Sequence, residues 1–90
     1  METGADMPVL AAIISSIRNK PLDRDLLIFG ELGLAGEIRP VPNGTERLKE
    51  AVKHGFKKAI IPAANAPKQK IENLEVIAIK GVQDLIDNLF

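Results

Sequence analysis

This chain of 90 residues lacks cysteine, tryptophan and tyrosine. It has no cysteine, so neither a disulfide framework nor a thiolate metal site can form. It has no tryptophan or tyrosine, which removes two of the side chains on which nucleic-acid bases stack. Its longest apolar run is too short for a bilayer, and no signal-peptide layout opens the chain. We therefore expect a small cytoplasmic domain that does not contact a membrane.

Common nucleotide-binding and catalytic motifs are missing as well. No G-x-x-x-x-G-K-[ST] segment is present, so the chain cannot build a P-loop for ATP. Glycines 30, 33 and 36 are spaced as turn residues and not as G-x-G-x-x-G, which argues against a dinucleotide site. The one histidine, His54, falls at a predicted helix end, where a cation favours the helix dipole. We expect it to cap that helix, and we expect no metal site in this segment.

The net charge is zero, but the charges are segregated along the chain. Residues 1–46 carry four basic and seven acidic side chains, a balance of −3. Residues 47–70 carry seven basic side chains and one acidic one, a balance of +6, and residues 71–90 return to −3. A local basic surface of this kind attracts anionic partners, although a solvated lysine-rich face gives the same pattern.

Apolar periodicity predicts helices alternating with strands. Leu10, Ile13, Ile14 and Ile17 recur at helical spacing and predict one inward face for a first helix, with Asp6 as its N-cap. That helix should end at the stretch before Pro21, because a residue preceding proline avoids the helical region. The patterns predict further helices at 45–54 and 82–89, and strands at 26–29, 37–39, 58–61 and 74–79. This order is typical of a layered domain with one sheet.

A glycine-rich turn separates the first two predicted strands. Gly30, Glu31 and Gly36 belong to this structural turn, and a proline-stiffened loop follows from Pro40. Glu31 and Glu37 are expected to be solvated acids of the turn and not a catalytic carboxylate pair.

Residues 29–51, FGELGLAGEIRPVPNGTERLKEA, match a known pattern without a gap. They resemble the C-terminal Lon-protease-like domain of the RadA (Sms) family of bacterial DNA repair proteins. Residues 22–29, residues 55–67 and the last helix are similar to that family too. The resemblance implies an α+β, Lon-protease-like fold of the ribosomal protein S5 domain 2-like type, with a mixed sheet packed against helices. Residues 1–90 would form a single domain of this type, as the C-terminal half of a larger domain in a longer protein.

The resemblance also aligns the catalytic dyad of the Lon peptidases with this chain. The nucleophilic serine falls on Gly4 and the catalytic lysine on Arg47. Glycine has no side chain to attack a carbonyl, and arginine stays protonated at any working pH, so it cannot act as a general base. The resemblance therefore implies a peptidase fold without peptidase chemistry.

The family resemblance implies a role in handling DNA. Its members form hexameric rings that bind single-stranded or branched DNA during branch migration, and their ATP, magnesium and zinc would be held by parts outside this chain. The alternatives are a pure oligomerisation module and a fragment of a Lon-family ATP-dependent serine peptidase. The chain itself is not expected to be an enzyme. The candidate DNA-binding residues are Arg47, Lys49, Lys53, Lys57 and Lys58.

Overall fold

Three α-helices and five short strands make up residues 6–90, the part of the chain that the computed structural model describes. The helices are α1 (Asp6–Arg18), α2 (Gly44–Lys53) and α3 (Val82–Leu89), and a 3-10 turn covers Ala63–Asn65. The strands are β1 (Leu26–Ile28), β2 (Glu31–Leu32), β3 (Ile38–Arg39), β4 (Lys58–Pro62) and β5 (Glu75–Ile79). The predicted helices and strands are confirmed within a residue or two, whereas β2 occupies a stretch predicted as turn. Gly4, the position aligned with the Lon serine, lies outside the described residues.

The main sheet is parallel throughout, with the strand order β1-β4-β5. β2 and β3 form a separate antiparallel ribbon, so the expectation of one mixed sheet is wrong. The chain leaves the main sheet at Gly30, which is buried and has φ +142°, a value that residues with a side chain rarely adopt. This change of direction keeps the ribbon out of the sheet, and the predicted layered arrangement of helices and sheet is otherwise confirmed.

β4 is the central strand, and it separates two apolar cores. Its side chains alternate between the two faces of the sheet. Ile60 packs with α1 and α3, whereas Ala59 and Ile61 pack beneath α2. The core on the α1 and α3 side contains the buried residues Met7, Ala11, Ile60, Ile79, Leu85 and Leu89. The core on the α2 side contains Phe29, Val41, Leu48, Ala59, Ile61 and Leu74.

The inward face of α1 differs in part from the predicted one. Met7 and Ala11 are fully buried, and Leu10 and Ile14 pack partly against the same core. These four residues again follow helical spacing, so the helix has a single face in contact with the sheet and α3. Leu10 and Ile14 are confirmed as inward residues.

Ile13 and Ile17, by contrast, are 50% and 79% exposed, so their prediction as inward residues is wrong. The apolar stripe of α1 is wider than the surface beneath it, and Val9 joins these two isoleucines on the exposed side. Two polar contacts hold the helix in this rotation. The Asp6 carboxylate accepts a hydrogen bond from the Leu32 N–H at 3.1 Å, and the first turn of α1 donates to the Gly30 carbonyl. The prediction of Asp6 as the N-cap is wrong, because Asp6 is the first residue of α1 and its carboxylate bonds to Leu32 of β2.

β1 lies at one edge of the parallel sheet, with β4 as its neighbour among residues 6–90. The Phe29 N–H donates to the Ile60 carbonyl, so the N–H of Leu27, two residues earlier in the strand, also points toward β4. The N–H of Ile28 therefore points toward the open edge. Open edges of this kind pair with other chains.

We expect the 90-residue chain to associate with itself through this edge. An Ile28→Pro variant should remain folded and associate less, because proline removes the N–H that points outward. A Leu27→Pro variant is the matched control, and it should lose its fold because it breaks the ladder to β4. Sedimentation velocity over a dilution series measures the association, and circular dichroism reports the fold. Equal association of the wild type and Ile28→Pro would show that another surface is used.

Candidate nucleic-acid interface

Helix α2 presents two of the candidate lysines to solvent. Leu48 and Ala51 are buried and Val52 is half-buried, as the periodicity predicts, because they pack on the sheet. Lys49 and Lys53, one turn apart, are consequently exposed. The helix thus gives both ammonium groups access to a large anionic ligand.

The two lysines differ in their surroundings. Lys53 Nζ lies 3.8 Å from Glu50 Oε2, and Glu50 Oε1 lies 3.2 Å from His54 Nε2. His54 is the C-cap residue of α2, which confirms its predicted position at the helix end. These exposed contacts contribute little to stability, but Glu50 offsets part of the charge of Lys53. Lys49 has no carboxylate within 4.0 Å among residues 6–90.

Arg47 connects the loop before α2 to the apolar core. Its Nε donates a hydrogen bond to the Pro42 carbonyl at 3.1 Å, and its guanidinium carbon lies 5.9 Å from the centroid of the buried Phe29 ring. Such a stacked cation is attracted to the face of the ring. The side chain is half-buried and supports the loop, and DNA contact by Arg47 stays a prediction.

Lys57 directly precedes β4 and Lys58 begins it, and their side chains lie on opposite sides of the sheet. The backbone N–H groups of both residues donate to the Asp25 carbonyl, at 2.9 and 3.2 Å. Because side chains alternate along an extended strand, Lys58 shares the sheet face of Ile60, opposite α2. Lys57 instead lines a depression beside Val52 at the end of α2. The structure therefore brings Lys49 and Lys57 to one side of the sheet and leaves Lys58 on the other.

A larger cavity of about 830 Å³ lies between the N-terminal half of α2 and residues 64–72. Lys49 lines it from the helix, and Lys68 and Lys70 line it from the opposite wall. Sequence reasoning counted these last two lysines in the basic stretch but did not select them as a site. Because Lys68 and Lys70 are far from α2 in the sequence, the sequence alone does not indicate that they lie near Lys49. Glu46 and Glu72 also line this cavity.

Asn65 holds the two walls of this cavity together. Its Oδ1 accepts the Val41 N–H and its Nδ2 donates to the Val41 carbonyl, both at 2.9 Å. The amide side chain thus satisfies both backbone groups of a buried residue. A Cβ at Gly44 would lie 2.5 Å from Asn65 Nδ2, so a side chain at that position would push the amide away. The distance between the loop before α2 and the 64–72 segment therefore depends on this contact.

The predicted structural turn is organised by Glu37. Its carboxylate accepts hydrogen bonds from the Ala35 N–H at 3.1 Å and from the Arg39 guanidinium at 3.0 Å. The pKa of the Glu37 carboxyl lies below its ordinary value, first because its own backbone N–H stabilises the ionised form and then because Arg39 does. The side chain is 41% exposed, and its hydrogen bonds stabilise the turn.

The four residues assigned to the turn occupy different parts of the ribbon. Gly30 is buried and precedes β2, and Glu31 pairs with Arg39 across the ribbon. Gly36 has φ +84°, which its lack of a side chain permits, and Pro40 is exposed after β3. Of the four, the two glycines have the positive φ angles that suit a change of chain direction.

Within residues 6–90, neither a metal-binding cluster nor a membrane-spanning helix is present. No group of three or more histidine, cysteine, aspartate or glutamate side chains in that range is arranged to hold a metal ion. None of the helices described there combines the length and the apolar character that crossing a bilayer requires.

Most of the chain matches the model of a known protein family. A family model described as "Subunit ChlI of Mg-chelatase" (ChlI) matches residues 3–65, which is more than two thirds of the sequence. The chain therefore belongs to the ChlI family. The mention of Mg-chelatase belongs to the family's description and assigns no chelatase activity here.

Individual relatives give a more specific similarity. The chain is 57% identical over its whole length to the DNA repair protein RadA of Pseudomonas aeruginosa. It is 58% identical over 98% of its length to RadA of Haemophilus influenzae, and 54% identical over 94% to RadA of Escherichia coli. It covers 20%, 20% and 18% of these proteins, so it spans about a fifth of their length. The match is to a C-terminal fragment of RadA.

Removal of the Asn65 amide should destabilise the chain. In Asn65→Ala, the N–H and C=O of Val41 lose their partners, which costs about 1–3 kcal/mol of unfolding free energy. Gln69→Ala, at an exposed position on the same segment, is the control and should change little. Urea denaturation followed by circular dichroism measures both. An Asn65→Ala variant as stable as the wild type would mean that the loop does not depend on this contact.

The Glu37 carboxylate should stabilise the chain in a pH-dependent way. Because its pKa is lowered in the folded state, its contribution is present above the ordinary carboxyl pKa and is lost as the pH falls through the lowered value. The urea midpoint of Glu37→Gln should therefore lie below that of the wild type at pH 7, and the two should converge in acid. Glu75→Gln, on an exposed strand position, serves as the control. A difference that grows as the pH falls would have the wrong sign for this mechanism.

Proposed function

We propose that this chain is a non-proteolytic, Lon-like domain of a RadA-type DNA repair protein, which contributes to ring assembly and contacts DNA without sequence preference. The observation that carries the proposal is its 54–58% identity, over nearly all of its length, to three proteins named DNA repair protein RadA. The name refers to those whole proteins, and this chain corresponds to about a fifth of each. The proposed role is therefore a contribution to the activity of a longer protein.

The distribution of charge supports contact with the DNA backbone. Lys49 and Lys57 are exposed on the same side of the sheet, with Lys53 on the intervening turn of α2. Lysines neutralise phosphates as point charges and do not read base edges, so the contact would be independent of sequence and sensitive to salt. A single chain with so few contacts would bind weakly. A ring that repeats the surface around one DNA molecule would bind more tightly, because the later contacts become intramolecular.

Peptide hydrolysis is not part of this proposal. The positions aligned with the Lon dyad are Gly4 and Arg47, and neither side chain can act as nucleophile or general base. Arg47 also has a structural partner in the Pro42 carbonyl. The reading as a fragment of an active Lon-family peptidase therefore has the least support.

In this proposal the chain is part of a longer protein. In this proposal it acts in the cytoplasm as a hexameric, DNA-dependent ATPase in recombination, on single-stranded or branched DNA. ATP, magnesium and zinc are then held by parts outside this chain, which would itself act without a cofactor.

A triple charge reversal in the full-length protein tests the DNA contact. Lys49→Glu, Lys53→Glu and Lys57→Glu together should lower the affinity for single-stranded DNA and flatten its salt dependence, because fewer counterions are released. Ring assembly should persist. Fluorescence anisotropy with a labelled oligonucleotide measures binding, and sedimentation measures assembly. A variant with Glu46, Glu72 and Glu75 all changed to lysine tests the opposite change of charge, and it should bind single-stranded DNA more tightly.

A pure oligomerisation module is the second candidate function. Two observations favour it: the exposed apolar residues Val9, Ile13 and Ile17 of α1, and the open edge of β1. If the triple lysine variant binds DNA normally but no longer forms rings, the basic residues contact a neighbouring subunit and this second function is correct.

A further inference from the structure

We infer that the groove between α2 and residues 64–72 binds the sugar–phosphate backbone of a single nucleic-acid strand, with Lys49, Lys68 and Lys70 contacting its phosphates. This inference rests on the proposed function and names the part of the surface that performs it. It also assigns a role to Lys68 and Lys70, which are outside the candidate set obtained from the sequence.

The two walls of the groove place positive charge on both sides of the same space. Lys49 projects from the helix wall, and Lys68 and Lys70 belong to the facing segment, all three lining the cavity of about 830 Å³. Asn65 fixes the separation of the walls through its two hydrogen bonds to Val41. An anionic chain in this space would meet ammonium groups from two directions, which a flat lysine-rich face does not provide.

The ammonium groups of the groove are also available for a ligand. Among residues 6–90, no carboxylate lies within 4.0 Å of the Nζ atoms of Lys49, Lys68 or Lys70. Lys53, on the next turn of α2, lies 3.8 Å from Glu50 Oε2 instead. Glu46 and Glu72 also line the groove, so its charged side chains, three lysines and two glutamates, sum to +1. Because neither glutamate lies within 4.0 Å of the three ammonium groups, these remain available for phosphate, whereas the charge of Lys53 is partly offset by Glu50.

A second depression lies further along the helix. The second depression, which contains Lys57, is lined by Val52 from α2 and by Asn73 from the facing segment. Val52 lies about one turn beyond Lys49, and Asn73 directly follows Glu72, so both depressions follow the same line between the helix and the segment. Ten helical residues extend for about 15 Å, which accommodates more than one phosphate of an extended strand. Lys57 is positioned for the next contact along that strand.

The lining favours a phosphate backbone over an acidic peptide. A bound peptide is anchored by large side chains in apolar pockets. Ile71 is the one large apolar side chain among the residues lining the main cavity, where the facing wall contributes the small residues Ala64 and Ala66. Thr45 and Gln69 add neutral hydrogen-bonding groups that suit phosphate oxygens. With no aromatic side chain in that lining, the groove would follow the backbone without stacking the bases.

The test compares three double variants of the 90-residue chain and of the full-length protein. Lys68→Gln with Lys70→Gln removes two charges from the groove, and Lys68→Arg with Lys70→Arg retains them. Arg24→Gln with Lys80→Gln removes two charges from exposed positions outside the groove and is the matched control. Binding to a labelled oligothymidine is measured by anisotropy over a series of salt concentrations, and circular dichroism verifies folding.

The glutamine pair should reduce the slope of log affinity against log salt by about 1.4, since each phosphate contact on a single strand contributes about 0.7. The arginine pair and the control should keep the wild-type slope. An unchanged slope in the glutamine pair, or an equal loss in the control, would overturn the inference.

The triple reversal at Lys49, Lys53 and Lys57 separates this failure from failure of the proposed function. If that variant loses DNA affinity while the Lys68 and Lys70 glutamine pair binds normally, the chain contacts DNA without Lys68 and Lys70. The groove inference is then wrong, and the proposed DNA contact still holds. If none of the variants changes DNA binding, both the groove and the proposed DNA contact are wrong. If the groove pair instead abolishes binding of an acidic protein segment and leaves oligothymidine binding unchanged, the groove recognises protein.

Discussion

The burial of β4 on both faces is the constraint on which the rest of the structure depends. Ile60 and Ile61 are fully buried on opposite sides of the same strand, so helices must cover the sheet from both directions. β1 and β5 each pair with β4 in parallel, and parallel strands require connections that cross from one end of the sheet to the other. Helix α2 forms part of one such connection and thereby covers one face. α1 and α3 cover the other face, which completes a three-layer arrangement.

The polar contacts between distant parts of the chain then decide which residues meet. Asn65 replaces a strand pairing by bonding to both backbone groups of Val41, and this brings the 64–72 segment alongside α2. Ile71 of the same segment also packs against the core beneath α2, so both contacts hold Lys68 and Lys70 near Lys49. The Asn65 contact therefore also shapes the groove. Stability and the proposed binding surface are thus coupled through one side chain.

The proposed DNA contact and the expected self-association involve different faces of the chain. The groove lies beside α2, whereas Ile13 and Ile17 are exposed on α1, on the opposite side of the sheet. A ring could use the α1 side and the β1 edge between subunits and leave the α2 side toward a strand of DNA. This separation is why charge changes in the groove and changes at the sheet edge are informative independently of each other. Arg47 has a structural role besides its predicted DNA contact, because its guanidinium contacts the Pro42 carbonyl and the Phe29 ring.

The sequence by itself determined the helices, most of the strands, the family resemblance and the outward position of Lys49 and Lys53. These follow from local periodicity, because the spacing of apolar residues places each side chain on a face of its own element. The tertiary structure alone decided that Ile13 and Ile17 face solvent, that β2 and β3 leave the main sheet, that Lys58 lies opposite α2, and that Lys68 and Lys70 join Lys49. Two of these depend on contacts between residues far apart in the chain, Asp6 with Leu32 for the rotation of α1 and Asn65 with Val41 for the groove lysines. Periodicity cannot specify such contacts, because it carries no information on the rotation of one element relative to the next.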